Sequence, residues 1–318
     1  MPAEMSYQQL GPSGLTVSTI GVGCNSFGAR MADEDVPAVV NTAIDAGITL
    51  FDTADVYGNA GGSEILLGRA LGSRRAEVII ATKFGSDMRG VNGPDWGARG
   101  SRRYVRIAVE SSLRRLGTDW IDLYQLHEPD PHTPIDETLA ALTEIVAEGK
   151  VRYIGSSNFA GWQVMDADWT SRTSGYEAFI SAQNDYSWLN RSVERELIPA
   201  LEHTGQSLLP FYPLGSGLLT GKYRRGESAP MGSRLARNRA RLDRANFDLV
   251  EAIEAYATER DLSILEVAIG GLSAMPTVGS VFAGATSAEQ VKQNVAAGEW
   301  VPSGDDLEAL LEITKPAL

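Results

Sequence analysis

Eight short runs of apolar and β-branched residues recur along the chain, each followed by a stretch with helical character. They are TIGVGC (19–24), ITLFDTA (48–54), VIIATKF (78–84), IDLYQLH (121–127), VRYIGSSN (151–158), FISAQND (179–185), SLLPFYP (207–213) and TVGSVFAG (277–284). Several are continuously apolar rather than alternating, the pattern of parallel strands covered on both faces. The intervening segments carry helix signals. SRRYVRIAVESSLRRLG opens on Ser101 as a candidate cap and ends on Gly117 behind two arginines, and PIDETLAALTEIVAEGK follows Pro134 and stops at Gly149. Further helices are expected over 33–47, 191–203, 248–260, 262–275, 287–297 and 304–314. Eight such units without a Pro/Gly/Ser-rich linker predict an α/β fold, a single (β/α)8 TIM barrel forming one domain over 1–318. A doubly wound sheet would need fewer strands and a second domain, and no composition break marks one. Two strand-like pieces around Gly11–Gly14 predict an N-terminal β-hairpin plugging the barrel floor. The stretch 214–247, rich in Gly and Arg, predicts a long functional loop after strand seven.

Composition narrows the function. The net charge of −13 argues against nucleic acid as a partner, because phosphate neutralisation needs clustered Lys and Arg. Cys24 is the single cysteine, so no intramolecular disulfide and no cysteine metal cluster can form. The opening MPAEMSYQQL lacks the basic and apolar regions of a signal peptide, and no stretch has the roughly 18 apolar residues of a membrane span. A cytoplasmic setting with no membrane partner is the expectation.

On a barrel, chemistry belongs at the C-terminal ends of the strands. Asp52 ends the second run and Tyr57 lies in the turn beyond it. Lys83 ends the third, His127 the fourth, Ser156, Ser157 and Asn158 the fifth, and Gln183, Asn184 and Tyr186 the sixth. Taken singly, an aspartate at a strand exit is a turn former, a lysine snorkels to solvent, and a histidine or tyrosine is a structural residue. Their convergence on one face of the barrel points instead to a site. Tyrosine as proton donor needs help, since its free pKa is about 10. A lysine ammonium about 4 Å away is worth roughly 4 kcal/mol at an effective dielectric of about 20, and is expected to lower that value. Asp52 is the natural counter-charge for a buried Lys83, and His127 is placed to orient a substrate oxygen. Asp55 has no part in this arrangement and reads as a loop residue near the rim.

The motifs LGPSGLTVSTIGVGCNSFG, FDTADVYG, ATKFG, DLYQLH, GKVRYIGSSNF, AQNDYSWLNR, PLGSGLLTGKY and GATSAEQVKQN, in this order, resemble those of the aldo-keto reductase superfamily over about residues 6–300. The likeness is to the bacterial branch related to potassium-channel β subunits. The resemblance implies a catalytic tetrad of Asp52, Tyr57 (general acid/base), Lys83 and His127. It also implies a nicotinamide dinucleotide lying extended across the barrel mouth without a Rossmann fold. Ser157, Asn158 and Gln183 would hold its carboxamide, with Ser156 beside them, and Phe211 would stack on the ring. Leu214, Gly215, Ser216 and Gly217 would approach the pyrophosphate, and Gln290 and Asn294 the adenine. Asp52, Gly23, Cys24, Tyr212 and Gly284 at the barrel mouth complete the expected cofactor contacts. The family's NADP-preferring members often carry Lys or Arg where this chain has Thr286 and Ser287, and Lys222 and Arg234 are expected to compensate. NADP is the expected cofactor and NAD the alternative.

The implied activity is hydride transfer between nicotinamide and an aldehyde or ketone, or a sugar or alcohol, as a carbonyl reductase or alcohol dehydrogenase. Phe27, Trp96, Tyr186 and Trp188, with Tyr57 and His127, are the expected substrate contacts. Rival readings are a cofactor-sensing regulatory protein like the channel subunits, an NAD-linked aldose dehydrogenase, and a lyase using Lys83 as a Schiff base. GVGCNS and GSGLLTGKY fail the dinucleotide and P-loop patterns respectively. His132 and His203 have no ligand spacing, so no metal is expected. Cys24 lacks a His–Asp arrangement that would make it a nucleophile. Substrate identity and homo-oligomer formation are left open by the sequence.

Overall fold

The computed structural model describes residues 5–315; the first four residues of the opening segment and the last three of the chain lie outside them. Two short strands, β1 (Tyr7–Gln9) and β2 (Thr16–Ser18), pair antiparallel as the expected hairpin. Eight parallel strands follow: β3 (Ile20–Gly23), β4 (Leu50–Asp52), β5 (Ile79–Phe84), β6 (Ile121–Leu126), β7 (Val151–Ser157), β8 (Phe179–Asp185), β9 (Ser207–Phe211) and β10 (Val281–Gly284). They run in the order β10-β3-β4-β5-β6-β7-β8-β9. A parallel bridge between Leu208 and Val278, with Leu208 N–H donating to the Thr277 carbonyl at 2.7 Å, brings the two ends together. The chain thus folds as a nearly closed (β/α)8 barrel.

Helices α1 (Val36–Asp45), α2 (Tyr57–Leu71), α3 (Arg102–Leu116), α4 (Ile135–Ala147), α5 (Gly161–Ser174) and α6 (Leu197–Thr204) follow successive strands. The long segment after β9 holds 3₁₀ turns at Gly215–Thr220 and Arg234–Arg237 and the short α7 (Arg239–Asp243). Helices α8 (Phe247–Thr258), α9 (Ile264–Ser273), α10 (Ala288–Ala297) and α11 (Gly304–Ile313) complete the chain. Caps set several boundaries. Gly117 closes α3 in the left-handed region at φ 64°, and Ser263 and Glu266 cap α9 reciprocally.

The strand period of two explains how core becomes site. Leu50, Ala81, Leu123, Leu209 and Phe282 point into the barrel and pack with Leu10 and Val17 of the hairpin. Two residues further along each strand, on the same face, stand Asp52, Lys83, Gln125, Phe211 and Gly284. The barrel interior is therefore apolar at its floor and polar at its mouth. The floor depends on close contact at Gly11, where φ is +55° and an added Cβ would sit 2.0 Å from the Ile180 carbonyl oxygen. Gly11→Ala is accordingly expected to destabilise the fold by about 2–3 kcal/mol, seen as a lowered urea midpoint at unchanged m-value.

Candidate active site

Asp52 and Lys83 end neighbouring strands and meet inside the barrel. Lys83 is fully buried and Asp52 4% exposed, so neither charge has bulk water to solvate it. Lys83 Nζ donates to both carboxylate oxygens of Asp52, at 2.8 and 2.7 Å, and to the Thr53 carbonyl at 2.9 Å. Asp52 Oδ1 also accepts from Gln183 Nε2 at 2.7 Å and, more weakly, Gln125 Nε2 at 3.4 Å. Burial alone would lower the Lys83 pKa, but Asp52 and Tyr57 outweigh it and the net direction is upward. The lysine stays charged.

Tyr57 lies above this pair, with Lys83 Nζ 4.9 Å from its ring centroid, and the His127 ring stands edge-on to it at 5.8 Å. The tyrosine departs from the expectation of a lowered pKa. Burial pushes it above 10, Lys83 pulls it down, Asp52 pushes it back up, and the net direction is upward. The physical reason is first the burial of the phenol, which the Lys83 ammonium, opposed by the Asp52 carboxylate beside it, does not outweigh. Tyr57 is therefore a protonated phenol throughout the neutral range. Burial, then the Lys83 charge, lower His127 to about 3, so its imidazole is neutral. Its Nδ1 has no hydrogen-bond partner among the described residues.

A cavity of about 670 Å3 opens over these groups. Asp52, Tyr57 and His127 line it, as do Gly23, Ser157, Asn158, Gln183, Phe211, Tyr212, Leu214, Ser216, Gly217, Lys222, Arg234, Gly284, Thr286, Gln290 and Asn294. Lys83 lies beneath the wall. Asn158 (φ 60°), Tyr212 (φ 56°) and Ser216 (φ 63°) hold left-handed backbone in that wall, a cost of about 1–2 kcal/mol each that the surrounding structure carries. Asn158 is fixed by its side-chain amide, which donates to the His127 carbonyl at 2.9 Å. Ser157 Oγ donates to the Gln183 carbonyl at 2.9 Å, and Gln183 spends its amide on Asp52.

Several expected contacts lie elsewhere. Cys24 is fully buried behind the wall with its thiol pKa raised by burial, and Gly215 faces Leu189. Ser156 is buried with its hydroxyl unpartnered among the described residues. Phe27 packs into the main core, the Tyr186 hydroxyl donates to Glu194 at 2.8 Å, and Trp188 Nε1 donates to the Val267 carbonyl at 2.9 Å. Trp96 is 77% exposed and stacks against the Arg103 guanidinium. None of these four aromatics lines the cavity, whose aromatic wall is made by Tyr57, Phe211, Tyr212 and Phe282. Asp55, read as a rim residue, is fully buried, because the turn after β4 carries it inward rather than outward.

Arg30 and Arg237 are lining residues that sequence reasoning missed. With Lys222 and Arg234 they make four cations in the wall, and none has a carboxylate partner within ion-pair distance among the described residues. Arg224 and Arg225 of the same loop, by contrast, are paired to Glu254, Asp248 and Glu251. Asp52, already bound by Lys83, is the one carboxylate lining the cavity among the described residues. Partial burial, then the charges of Arg234 and Arg237, lower the Arg30 pKa, while the Arg234 guanidinium stacks on the Tyr212 ring at 4.6 Å. Like charges held together in an acidic protein make a wall suited to an anion. Gly23 and Gly284, paired on adjacent strands at the mouth, leave room there: an added Cβ would meet no atom closer than 4.0 Å. Lys83→Met is expected to cost about 3–5 kcal/mol in urea unfolding, because it leaves the Asp52 charge buried without its cation.

Comparison with known proteins agrees with this geometry. The model of the "Aldo/keto reductase family" matches residues 19–315. An uncharacterized oxidoreductase of Bacillus subtilis is 34% identical, the match covering 93% of this chain and 91% of that protein. The L-glyceraldehyde 3-phosphate reductase of Escherichia coli K12 is 36% identical over 92% of this chain and 88% of its own. A probable voltage-gated potassium channel subunit beta of rice is 33% identical over 94% and 92% respectively. No described helix is long and apolar enough to cross a membrane. The chain belongs to the aldo/keto reductase family.

Proposed function

We propose that this oxidoreductase reduces an aldehyde or ketone with a nicotinamide dinucleotide, NADPH ahead of NADH, and that Tyr57 is its proton donor. The observation that carries the reading is the placement of Tyr57, a neutral phenol, over the buried Lys83–Asp52 pair and beside the neutral His127 at the cavity mouth. A carbonyl oxygen brought between Tyr57 and His127 would meet two groups with protons to share. The phenol gives up its proton as negative charge builds on that oxygen, and the Lys83 ammonium below stabilises the phenolate left behind. Neutral His127 orients the oxygen without competing as an acid.

The cofactor fits the residues present. Four unpaired cations suit its phosphates, Phe211 offers a flat face for the nicotinamide, and Ser157 and Asn158 offer polar atoms for a carboxamide. When bound, the cofactor supplies the hydride. Arg30 and Arg237, added to Lys222 and Arg234, support NADPH despite the uncharged Thr286 and Ser287. Ser287 caps α10 and Thr286 is engaged with Gln290, so both hydroxyls already have local work. With the expected substrate aromatics outside the cavity, no preference for apolar carbonyls is inferred. The likeness to the rice channel subunit supports a second reading, a protein that binds the cofactor and does not turn over.

Three measurements test this. Tyr57→Phe is expected to lower kcat at least about 100-fold while NADPH affinity, read by fluorescence, stays within about twofold. Intact turnover in that variant overturns the mechanism, and NADPH binding without oxidation across an aldehyde panel selects the second reading. The double variant Arg30→Ala, Arg237→Ala is expected to weaken NADPH at least about tenfold and NADH less. Ultraviolet difference titration of wild type against Tyr57→Phe is expected to show this phenol ionising above pH 10. His127 carries the opposite sign for stability. Its folded pKa lies below its ordinary 6.5, so the stability it lends is complete above that pH and is lost as pH falls toward about 3.

A further inference from the structure

Tyr57 stands at the head of an unusual piece of backbone. The four residues after it, Gly58, Asn59, Ala60 and Gly61, all have positive φ (64°, 61°, 65° and 115°), so a left-handed turn links Tyr57 to the regular part of α2. Ala60, unlike the glycines and Asn59, has no conformational reason of its own to adopt it. One side of this turn is held by the loop after β3, for an added Cβ at Gly58 would lie 2.7 Å from the Phe27 carbonyl oxygen. The other side rests on Arg115, from the last turn of α3: an added Cβ at Gly61 would lie 2.5 Å from Arg115 Cδ.

Arg115 is itself fixed on two sides. Its Nε donates to Glu64 at 2.6 Å, and a terminal nitrogen donates to Asn92 Oδ1 at 2.9 Å. Glu64, fully buried in α2, also accepts from Thr82 Oγ1 at 2.6 Å, the residue before Lys83. Asn92 belongs to the loop after β5 and is 6% exposed. Its Nδ2 lies 3.4 Å from both Asp55 Oδ2 and the Tyr104 hydroxyl. Asp55 is fully buried two residues before Tyr57, and its backbone N–H donates to the Lys83 carbonyl at 3.1 Å. The chain from Asp55 to Glu64 is thus gripped before and after Tyr57 by one polar cluster that touches neither the cavity nor the tetrad side chains.

We propose that Arg115, acting with Glu64, Asn92 and Asp55, is a positioning residue for Tyr57: the cluster holds the left-handed turn in the one conformation that sets the phenol over Lys83. The inference rests on the reading of Tyr57 as proton donor. A polar cluster serving stability alone would not need to grip both ends of a left-handed turn. Burial, then the Glu64 charge, push the Asp55 carboxyl well above the usual range against the pull of Arg115, so a neutral side chain of the same shape should replace it.

The experiment compares Asn92→Ala, Arg115→Met, Asp55→Asn and Tyr57→Phe in the full chain. It reads kcat per folded molecule, cofactor affinity, the isotope effect with 4-deuterated NADPH, and the melting temperature. Asn92→Ala and Arg115→Met are expected to lower kcat about 10- to 100-fold, to raise the isotope effect and to leave cofactor affinity within about twofold. Asp55→Asn is expected to keep at least about half of kcat. Arg115→Met strands Glu64 without its cation, so Asn92→Ala, which removes no charge, carries the test if that variant does not fold. Asn92→Ala with wild-type kcat, or a loss fully matched by the loss of folded protein, overturns the proposal while a dead Tyr57→Phe leaves the oxidoreductase reading standing. An active Tyr57→Phe overturns that reading and this one with it.

Discussion

The interaction on which the site depends is the buried ion pair of Lys83 and Asp52. Moving either ion out of water costs several kcal/mol, and their mutual attraction offsets this only when the remaining hydrogen-bonding capacity is filled. Here it is filled: the ammonium has three acceptors, and the carboxylate takes the lysine and the Gln183 amide. Much of the mouth follows from that requirement. Gln125 and Gln183 are buried because Asp52 draws their amides inward, and Gln183 in turn offers its carbonyl to Ser157 and Asn158. The pair also sets the electrostatics above it. Burial of the phenol, with the Asp52 carboxylate opposing the ammonium, keeps the Tyr57 pKa above its ordinary value. A bare lysine there would favour the phenolate at lower pH.

A second constraint is the separation of charge between the inner site and its rim. Inside, every charge has a counter-charge. At the rim, Arg30, Lys222, Arg234 and Arg237 have none among the described residues, although the acidic chain has carboxylates in plenty and neighbouring Arg224 and Arg225 use them. Cations at the rim suit the anionic cofactor proposed above, and the neutralised interior would not compete for that charge.

Much of this was legible in the sequence because strands have a strict period of two. Once LFDTADVYG, IIATKFG and LYQLHEPD are read as strands, Leu50 at the floor places Asp52 at the mouth, Ala81 does the same for Lys83 and Leu123 for Gln125, and His127 follows just past the end of its strand. What was not legible lies where that period ends. Asp55 is three residues beyond Asp52 in a turn, and no pattern says which way a turn residue points; it went inward. The glycines at 58 and 61 and Asn59 hinted at irregular backbone, but nothing marked Ala60 as left-handed, since the contacts around that turn, from Arg115 and Phe27, come from distant segments. Arg30 and Arg237 were missed because an arginine in a loop reads as solvated until a facing loop is known. The aromatic wall failed for a related reason. Phe27, Tyr186 and Trp188 follow strand ends, but Phe27 is spent on the main core and the polar atoms of Tyr186 and Trp188 on Glu194 and the Val267 carbonyl.

These failures share a direction. The strand positions that carry charge pairing are fixed by local alternation, whereas the groups that tune the site, by bracing Tyr57 or by lining the rim, depend on contacts across tens of residues. A barrel of this kind divides the work accordingly. The strands deliver the ionisable groups to one plane with little freedom of error, and the loops, anchored by buried polar residues such as Asn92 and Arg115, determine where the phenol stands above that plane. A family relative with the same strand ends and different anchors would keep the chemistry and change its rate. Asp55, Asn92 and Arg115 are therefore where differences in turnover between members should first be sought.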